Sequence, residues 1–472
     1  MTSGAPTLKR LAPACKTETM TAAPRPGAAI SYTEIIRLAW PASVAASVTP
    51  LLGAIDVWAL GQSDRPLDIA AVGLGSVIFS LAYWTFGFIR MSVAGLAAQA
   101  AGAGDEAEAR ASLIRGVLLG GGIGLALVLL QIPIARLAFA GLAVDSNASA
   151  ETFASARAYF DCRIWGAPFA LGSYAAFGWL SARGRTDYLM IVSLLITGLN
   201  IVLDVWFALI LGWGAAGVAA GTAIAEFAGF LACLYFVARI MARNGGLKTD
   251  WSRATLLRPE ALARTIAVNR DIFIRTILLA FSFAWFVQRG GAFGDVTLAA
   301  NQTLLQLFLF TGLALDGTAI AAETLVGQAI GDKDRARGKA RYLAAVRRTF
   351  IVAGLGSLAC VAFYAAFGEA IIALLTPDGA IREAAGRYMP WVIASPLAVV
   401  VGFQLDGIFI GATRAREMRN SMFFAAPAFI AISILFAEYG NHGLWASFFL
   451  YFLLRAGTLV LYLSQIRKIF FN

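Results

Sequence analysis

The chain has 472 residues, of which 59% are hydrophobic and 14% charged, and its formal net charge is +10. A soluble domain carries about 25% charged residues, so this much apolar surface needs lipid as its solvent. The basic surplus has an ordinary home in cytoplasmic loops, no aromatic-basic module points to nucleic acid, and a single histidine, His442, with four scattered cysteines excludes a zinc site of ordinary spacing.

Met1 to about Ala29 is polar, carries Lys9, Arg10, Lys16 and Arg25, and lacks the apolar core of a secretory signal. It reads as a disordered cytoplasmic tail, 1–30. Apolar runs then predict twelve helices, at 33–60, 67–100, 113–140, 153–181, 187–211, 214–241, 260–290, 296–330, 343–366, 380–411, 417–437 and 442–466. Each exceeds the roughly 20 residues that cross a bilayer. The connections after spans 4, 6, 8 and 10 are rich in arginine, among them Arg183, Arg185, Arg243, Arg258, Arg335, Arg337, Arg414 and Arg416, whereas those after spans 5 and 11 have no positive charge. The positive-inside rule then puts both termini in the cytoplasm.

Shifted by 229 residues, the sequence matches itself: AQAAGAGD (Ala98–Asp105) falls on GQAIGDKD (Gly327–Asp334), Tyr159 on Tyr388, Gly178 on Gly407, Arg185 on Arg414, and Gly214 on Gly443. This predicts two six-helix lobes of the same hand, 31–241 and 260–472, joined by a cytoplasmic linker, 242–259. Two parallel repeats with a site between them are a plan for alternating access, and a membrane enzyme has no need of that symmetry.

Ionisable groups inside apolar helices are costly and mark candidate sites. Asp56 follows TPLLGAI in span 1. Asn200 and Asp204, four apart in span 5, share a helical face, as do Thr222 and Glu226 in span 6. Tyr159 in span 4 adds a donor. In the second half Asp316 and Glu323 share a face of span 8, Asp406 lies in span 10, and Arg275 and Arg289 stand near the ends of span 7. Arg90 lies in span 2, and Gln328 is the repeat partner of Gln99. We expect Asp56, Asp204, Asn200, Tyr159 and Thr222 to form a cation- or proton-coupling cluster, and Asp316, Glu323, Asp406, Arg90 and Gln328 to belong to a substrate cavity. Phe283, Trp285 and Phe286 either line that cavity or face lipid. No Gly-x-x-x-x-Gly-Lys-Ser/Thr motif occurs, so the energy source is an ion gradient or the substrate's own.

Five segments in order, LAWPASVAASVTPLLGAIDVWALG, AYWTFGFIRMSVAGLAAQAAGAGD, GLNIVLDVWFALILGWGAAGVAAGTAIAE, LDGTAIAAETLVGQAIGDKD and LDGIFIGATRAREMRN, resemble the multidrug and toxic compound extrusion (MATE) family, most of all its DinF-like branch. The resemblance covers about Tyr32 to Arg467. It implies an all-α membrane protein with twelve transmembrane helices in two pseudo-symmetric lobes around a central cleft. It implies an antiporter, without cofactor or catalytic residues, that exports amphipathic, often cationic organic compounds against protons or sodium across the bacterial inner membrane. Family coupling acids match Asp56 and Asp204, with Tyr159, Asn200 and Thr222 beside them, and a helix-bending proline matches Pro41. One polar family position in span 4 is Phe177 here, and the span 7 acid of another branch is replaced by Arg275. These departures favour protons over sodium. The expected partners are small organic substrates and the bilayer, with a monomer as the working unit. A sodium-coupled exporter and a lipid-linked oligosaccharide flippase of the related superfamily are the alternatives.

Overall fold

The computed structural model describes residues 30–61, 66–144, 149–243 and 253–471, and within them the side chains of 49–59, 66, 143–144, 253–254 and 471 lie outside the described part. The expected N-terminal tail and residues 244–252 of the expected linker lie outside the described residues. Span 1 is α1 (Tyr32–Gly61), one continuous helix through Pro41 and Pro50. Span 2 is α2 (Pro66–Phe86) and α3 (Phe88–Gly102), which meet at Gly87. Span 3 is α4 (Glu106–Leu129) and α5 (Gln131–Val144), and span 4 is α6 (Ala150–Arg163) and α7 (Ala167–Ala182), joined by a 3-10 turn. Span 5 is α8 (Thr186–Asp204), continued by a π-helical turn, Val205–Ile210, and span 6 is α9 (Gly214–Arg243). After the short α10 (Arg253–Leu256), spans 7 to 12 are α11 (Pro259–Gly291), α12 (Asp295–Gly331), α13 (Arg335–Leu375), α14 (Gly379–Gly411), α15 (Ala415–Leu435) and α16 (Gly440–Phe471).

The expected boundaries hold within a few residues except where a helix outruns its apolar stretch. Span 9 begins at Arg335 rather than 343, because Asp334 caps it by accepting from the Ala336 and Arg337 amides. Span 3 begins early for the same reason, with Asp105 accepting from Glu108 N. The break in span 2 falls at Gly87 within an apolar run, whereas that in span 4 follows the polar end of α6, Asp161 and Arg163. The restart of span 4 has Pro168 in the first turn of α7, where a proline's missing N–H costs nothing.

The outer surface is apolar. Leu137, Leu374 and Leu461 are 76%, 86% and 76% exposed, a face that only lipid covers stably. Among the ten long apolar spans of the described residues, span 10 is the most enclosed, with 72% of its most apolar window buried, against 17% for span 9. The chain is an all-helical, multi-pass membrane protein.

The repeat is visible as paired contacts. Gln99 Nε2 donates to the Gly411 carbonyl at 2.9 Å, and Gln328 Nε2 donates to the Ala182 carbonyl at 2.9 Å. The two donors are 229 residues apart, and so are the two acceptors, so the bonds are images of each other across a pseudo-two-fold axis. Gly102 lies against the Gln328 carbonyl and Gly331 against the Gln99 carbonyl, each so closely that a Cβ would collide. Within each half, Gly178 presses on the Arg90 carbonyl as Gly407 presses on that of Ala319. The repeated motif is thereby explained. Its glutamines, and the glycines three residues on, build a seam between the halves, and its last aspartates cap spans 3 and 9.

Candidate functional site

Beyond the seam lies a cavity of about 390 Å³ between the halves, walled by spans 2, 4, 7, 8, 10 and 12. One wall is aromatic, with Tyr83, Trp84, Phe283, Phe308 and Phe403. The polar side is charged. Arg90 from the first half reaches Glu323 of the second at 3.5 Å, a pair whose carboxylate is buried. Deeper in the second half, Asp406 is gripped by Arg275 and Arg455, both donating to the same oxygen, Oδ2. All three are buried. Asp316 lies on the wall between these groups, partly exposed to the cavity, and makes no hydrogen bond or ion pair with any described residue.

A second polar centre sits inside the first half. Asn200 Nδ2 donates to Asp204 Oδ1 at 3.1 Å and to Thr222 Oγ1 at 3.0 Å, and Thr222 Oγ1 donates to the Val218 carbonyl at 2.8 Å. Asn200 and Asp204 are 0% exposed. The i, i+4 spacing of span 5 aims both at span 6. There Gly221 leaves room for the carboxylate, since a Cβ would come within 2.7 Å of Asp204 Oδ1. Asp204 is also the last α-helical residue before the π-turn, a local widening frequent at functional sites.

The placement of the expected residues is therefore mixed. Asp204, Asn200 and Thr222 come together. Tyr159 is buried on α6 against Gly75 and Phe79 of α2. Asp56 is carried by α1, but its side chain lies outside the described residues. Pro41 lies on the part of α1 nearer the seam, beside Ser43, whose hydroxyl donates to the Ala314 carbonyl. Asp316, Glu323, Asp406 and Arg90 do line the cavity. Gln328 does not: its amide is spent in the seam on Ala182. Phe283 lines the cavity, whereas Phe286 is buried in the second-half core and Trp285 donates to Ser433 Oγ at 3.0 Å.

Two arginines escaped the sequence reading. Arg163 forms a fork with Glu226, 2.6 Å at each arm, and stacks its guanidinium on Phe79 and Tyr83. Arg455 holds Asp406. A signal exists in both cases, since a lone arginine inside an apolar run demands a buried acid. By spacing alone, Glu226 is only a face-mate of Thr222. In the structure it is committed to Arg163.

The MatE family profile matches residues 41–206 and again 272–437, two segments of equal length in one chain. The chain belongs to the MATE family of transporters. DNA damage-inducible protein F of Escherichia coli (strain K12) is 37% identical over 428 residues, which cover 89% of this chain and 90% of that protein. Protein DETOXIFICATION 44, chloroplastic, of Arabidopsis thaliana is 25% identical over 92% of this chain and 82% of its own. A MATE crystal structure in complex with MaD3S superposes with a TM-score of 0.80 at 20% identity, over 93% of this chain and 96% of that one. The two profile matches agree with the seam. A MATE transporter is not an enzyme.

Proposed function

We propose that this MATE chain is a proton-driven antiporter of the bacterial inner membrane that exports amphipathic organic compounds. The observation that carries this reading is Asp204, a fully buried carboxylate within a membrane span, held by Asn200 and joined through it to span 6. An ionised carboxylate only accepts hydrogen bonds, and a protonated one also donates. Taking up a proton at Asp204 therefore re-deals the bonds among Asn200, Thr222 and the π-turn, and alters how span 5 sits on span 6. Asp56 is the second acid of this reading. Its repeat position is Trp285 and that of Asp204 is Ser433, and these two are hydrogen-bonded in the second half. By the pseudo-symmetry, Asp56 and Asp204 act as one unit.

With the arginine-rich connections in the cytoplasm, the seam acts as the cytoplasmic gate of the cavity. Substrate enters the cavity against its aromatic wall, and charged groups on it meet Asp316. The choice of protons over sodium rests on Phe177 and Arg275, which stand where the family resemblance would offer a cation a polar side chain in span 4 and an acid in span 7.

The test is flux in proteoliposomes under an imposed pH gradient without sodium. A lipophilic cationic dye is expected to be exported by the parent and not by Asp204→Asn or Asp56→Asn. Export driven by sodium alone would sink the choice of ion, and proton-driven export that survives both substitutions would sink the site.

A further inference from the structure

On the proton-antiport reading above, protons reach Asp204 from the outer side, and the first half holds a buried acid there that the reading has not used. Asp68, in the first turn of α2, is 6% exposed. Ser155 Oγ of α6 donates to its Oδ1 at 2.6 Å. Its Oδ2 is buried and has no hydrogen-bond partner among the described residues. That oxygen lies against Gly214 at the start of α9, where a Cβ would come within 2.1 Å of it. A carboxylate placed only to cap α9 would accept from an amide of its first turn, and Oδ2 accepts from none among the described residues. An oxygen in this state is costly as an anion and less so once protonated. Yet the surface is close, since Leu67 beside Asp68 and Trp213 beside Gly214 are exposed. Spans 2, 4 and 6 all run inward, so seven residues along α9 descend about 10 Å and return to the same face. Seven residues after Gly214 is Gly221, which makes room for Asp204 Oδ1. The two carboxylates therefore stand against one face of α9, two turns apart. Between these levels Tyr159 follows Ser155 by one turn of α6 and packs in one buried cluster with Ala215 and Val218 of α9. The second half has Thr297 and Ala384 where the first has Asp68 and Ser155, so this acid goes with Asp204 and not with the repeat.

We propose that Asp68 is the outer proton port of the first half, taking a proton from outside water and passing it inward to Asp204. Asp68 Oδ2 binds the proton and becomes the hydroxyl of a neutral acid. It donates that proton to a water molecule, which releases one of its own to the Asp204 carboxylate, and Asp68 returns to its anion. Few charged groups compete at this place. The α9 N-terminus faces Asp68 and favours the anion that receives the proton. On α6, Glu151 is exposed one turn outward of Ser155, and Arg157 and Asp161 bond to each other further in. On α1 and the connection after it, the side chains of Asp56, Asp64 and Arg65 lie outside the described residues.

The test is the pH profile of proton-driven tetraphenylphosphonium export by the full chain in proteoliposomes, with the pH difference held constant while both sides are shifted together. A port carboxylate raises the local supply of protons, which matters most where they are scarce. Asp68→Asn is expected to match the parent within about twofold at about pH 6 and to fall about tenfold behind it at about pH 8.5. Asp68→Ser, smaller and equally without a carboxyl proton, gives the same profile should the Asn variant fail to fold. A loss by one factor at every pH is that of a structural residue and overturns the inference, as does a profile that follows the parent throughout. In either case, flux that Asp204→Asn abolishes at every pH leaves the antiport reading standing. If the parent shows no proton-driven flux at any pH, that reading falls and the port falls with it.

Discussion

The two halves share a skeleton and differ in most of what is polar off the seam. At the seam the copies answer each other: Gln99 and Gln328 each donate to the carbonyl at the matching position of the other half, and Gly102 answers Gly331. Inside the halves the close glycine contacts still match, but the polar side chains do not. Asn200, Asp204 and Thr222 of the first half fall on Phe429, Ser433 and Tyr451 of the second, which pack in its aromatic core or bond to Trp285. Glu226 falls on Arg455, an exchange of sign, and Phe177 falls on Asp406. The cavity charges Asp316, Glu323 and Arg275 fall on Gly87, Ala94 and Ala46. Duplication thus supplied the seam, where both copies must fit alike. Chemistry was placed in the differences: a buried acid centre in one half, and most of the cavity's charge in the other.

The comparison breaks most easily at Asp204. If coupling lives in the first half, Asp204→Asn lowers proton-driven flux at least about tenfold, an effect above about 1.4 kcal/mol, whereas Ser433→Ala at the matching position leaves it within about twofold. Equal losses in the two would mean that coupling is shared by both halves. Next in size are the ion pairs. Asp406→Asn leaves two buried guanidiniums with no carboxylate, and Glu226→Gln leaves Arg163 so. Each is expected to lower stability by about 3–5 kcal/mol, read as a fall in Tm in detergent. Asp406→Asn costs more, because its oxygen serves two arginines.

The skeleton was readable in advance because hydropathy and self-similarity are properties of long stretches. Twelve apolar runs and one motif repeated at 98–105 and 327–334 need no side-chain detail. Spacing along a single helix was readable too, and it brought Asn200 to Asp204. Pairing between helices was not. Nothing along the chain says that Arg163 meets Glu226, 63 residues on, or that Gln328 turns from the cavity to Ala182. The π-turn after Asp204 is likewise silent, since VWFALI is an ordinary apolar helix by composition.

The seam offers smaller effects that sharpen the symmetry. Gln328→Leu removes one bond between halves, about 0.6 kcal/mol in a membrane setting, Gln99→Leu removes its counterpart and two weaker or exposed ones, and the double variant is expected to sum the two effects. The measurement is the rate of maleimide labelling of a cysteine placed at Ala101, which rises as the gate opens. Gln99→Leu is expected to be the larger, because its amide also meets Thr413 Oγ1 at 3.3 Å and its carbonyl receives Arg264. Thr413 itself has φ 53°, at the repeat position of Gly184, φ 69°. A β-branched residue in that region is strained by about 1–3 kcal/mol, and its hydroxyl accepts from Arg264 at 2.7 Å. Thr413→Gly is therefore expected to raise Tm slightly while speeding the same labelling.

The smallest effect lies outside the membrane, where the halves again part. Asp332, in the connection after span 8, accepts from Arg337 through both oxygens, at 2.6 and 2.7 Å, and Asp334 N donates to it at 3.0 Å. Its repeat position is Ala103, so the first half has no such clasp. The hydrogen bonds from Arg337, with the Asp334 amide adding to them, outweigh burial and hold the Asp332 carboxyl below its ordinary value. A folded value below the unfolded one stabilises above the unfolded pKa, about 3.9, and that contribution is lost as pH falls through the folded value. The Tm difference between the parent and Asp332→Asn is therefore expected to be constant from neutral pH down to about pH 4 and to shrink below it. A difference that instead grew with acid would mean the clasp is held by something other than the ionised carboxylate. In the same series Ala103→Asp should gain nothing at any pH. The position five residues on is Glu108, an acid already bound to Arg115, so no guanidinium stands where the clasp would need one.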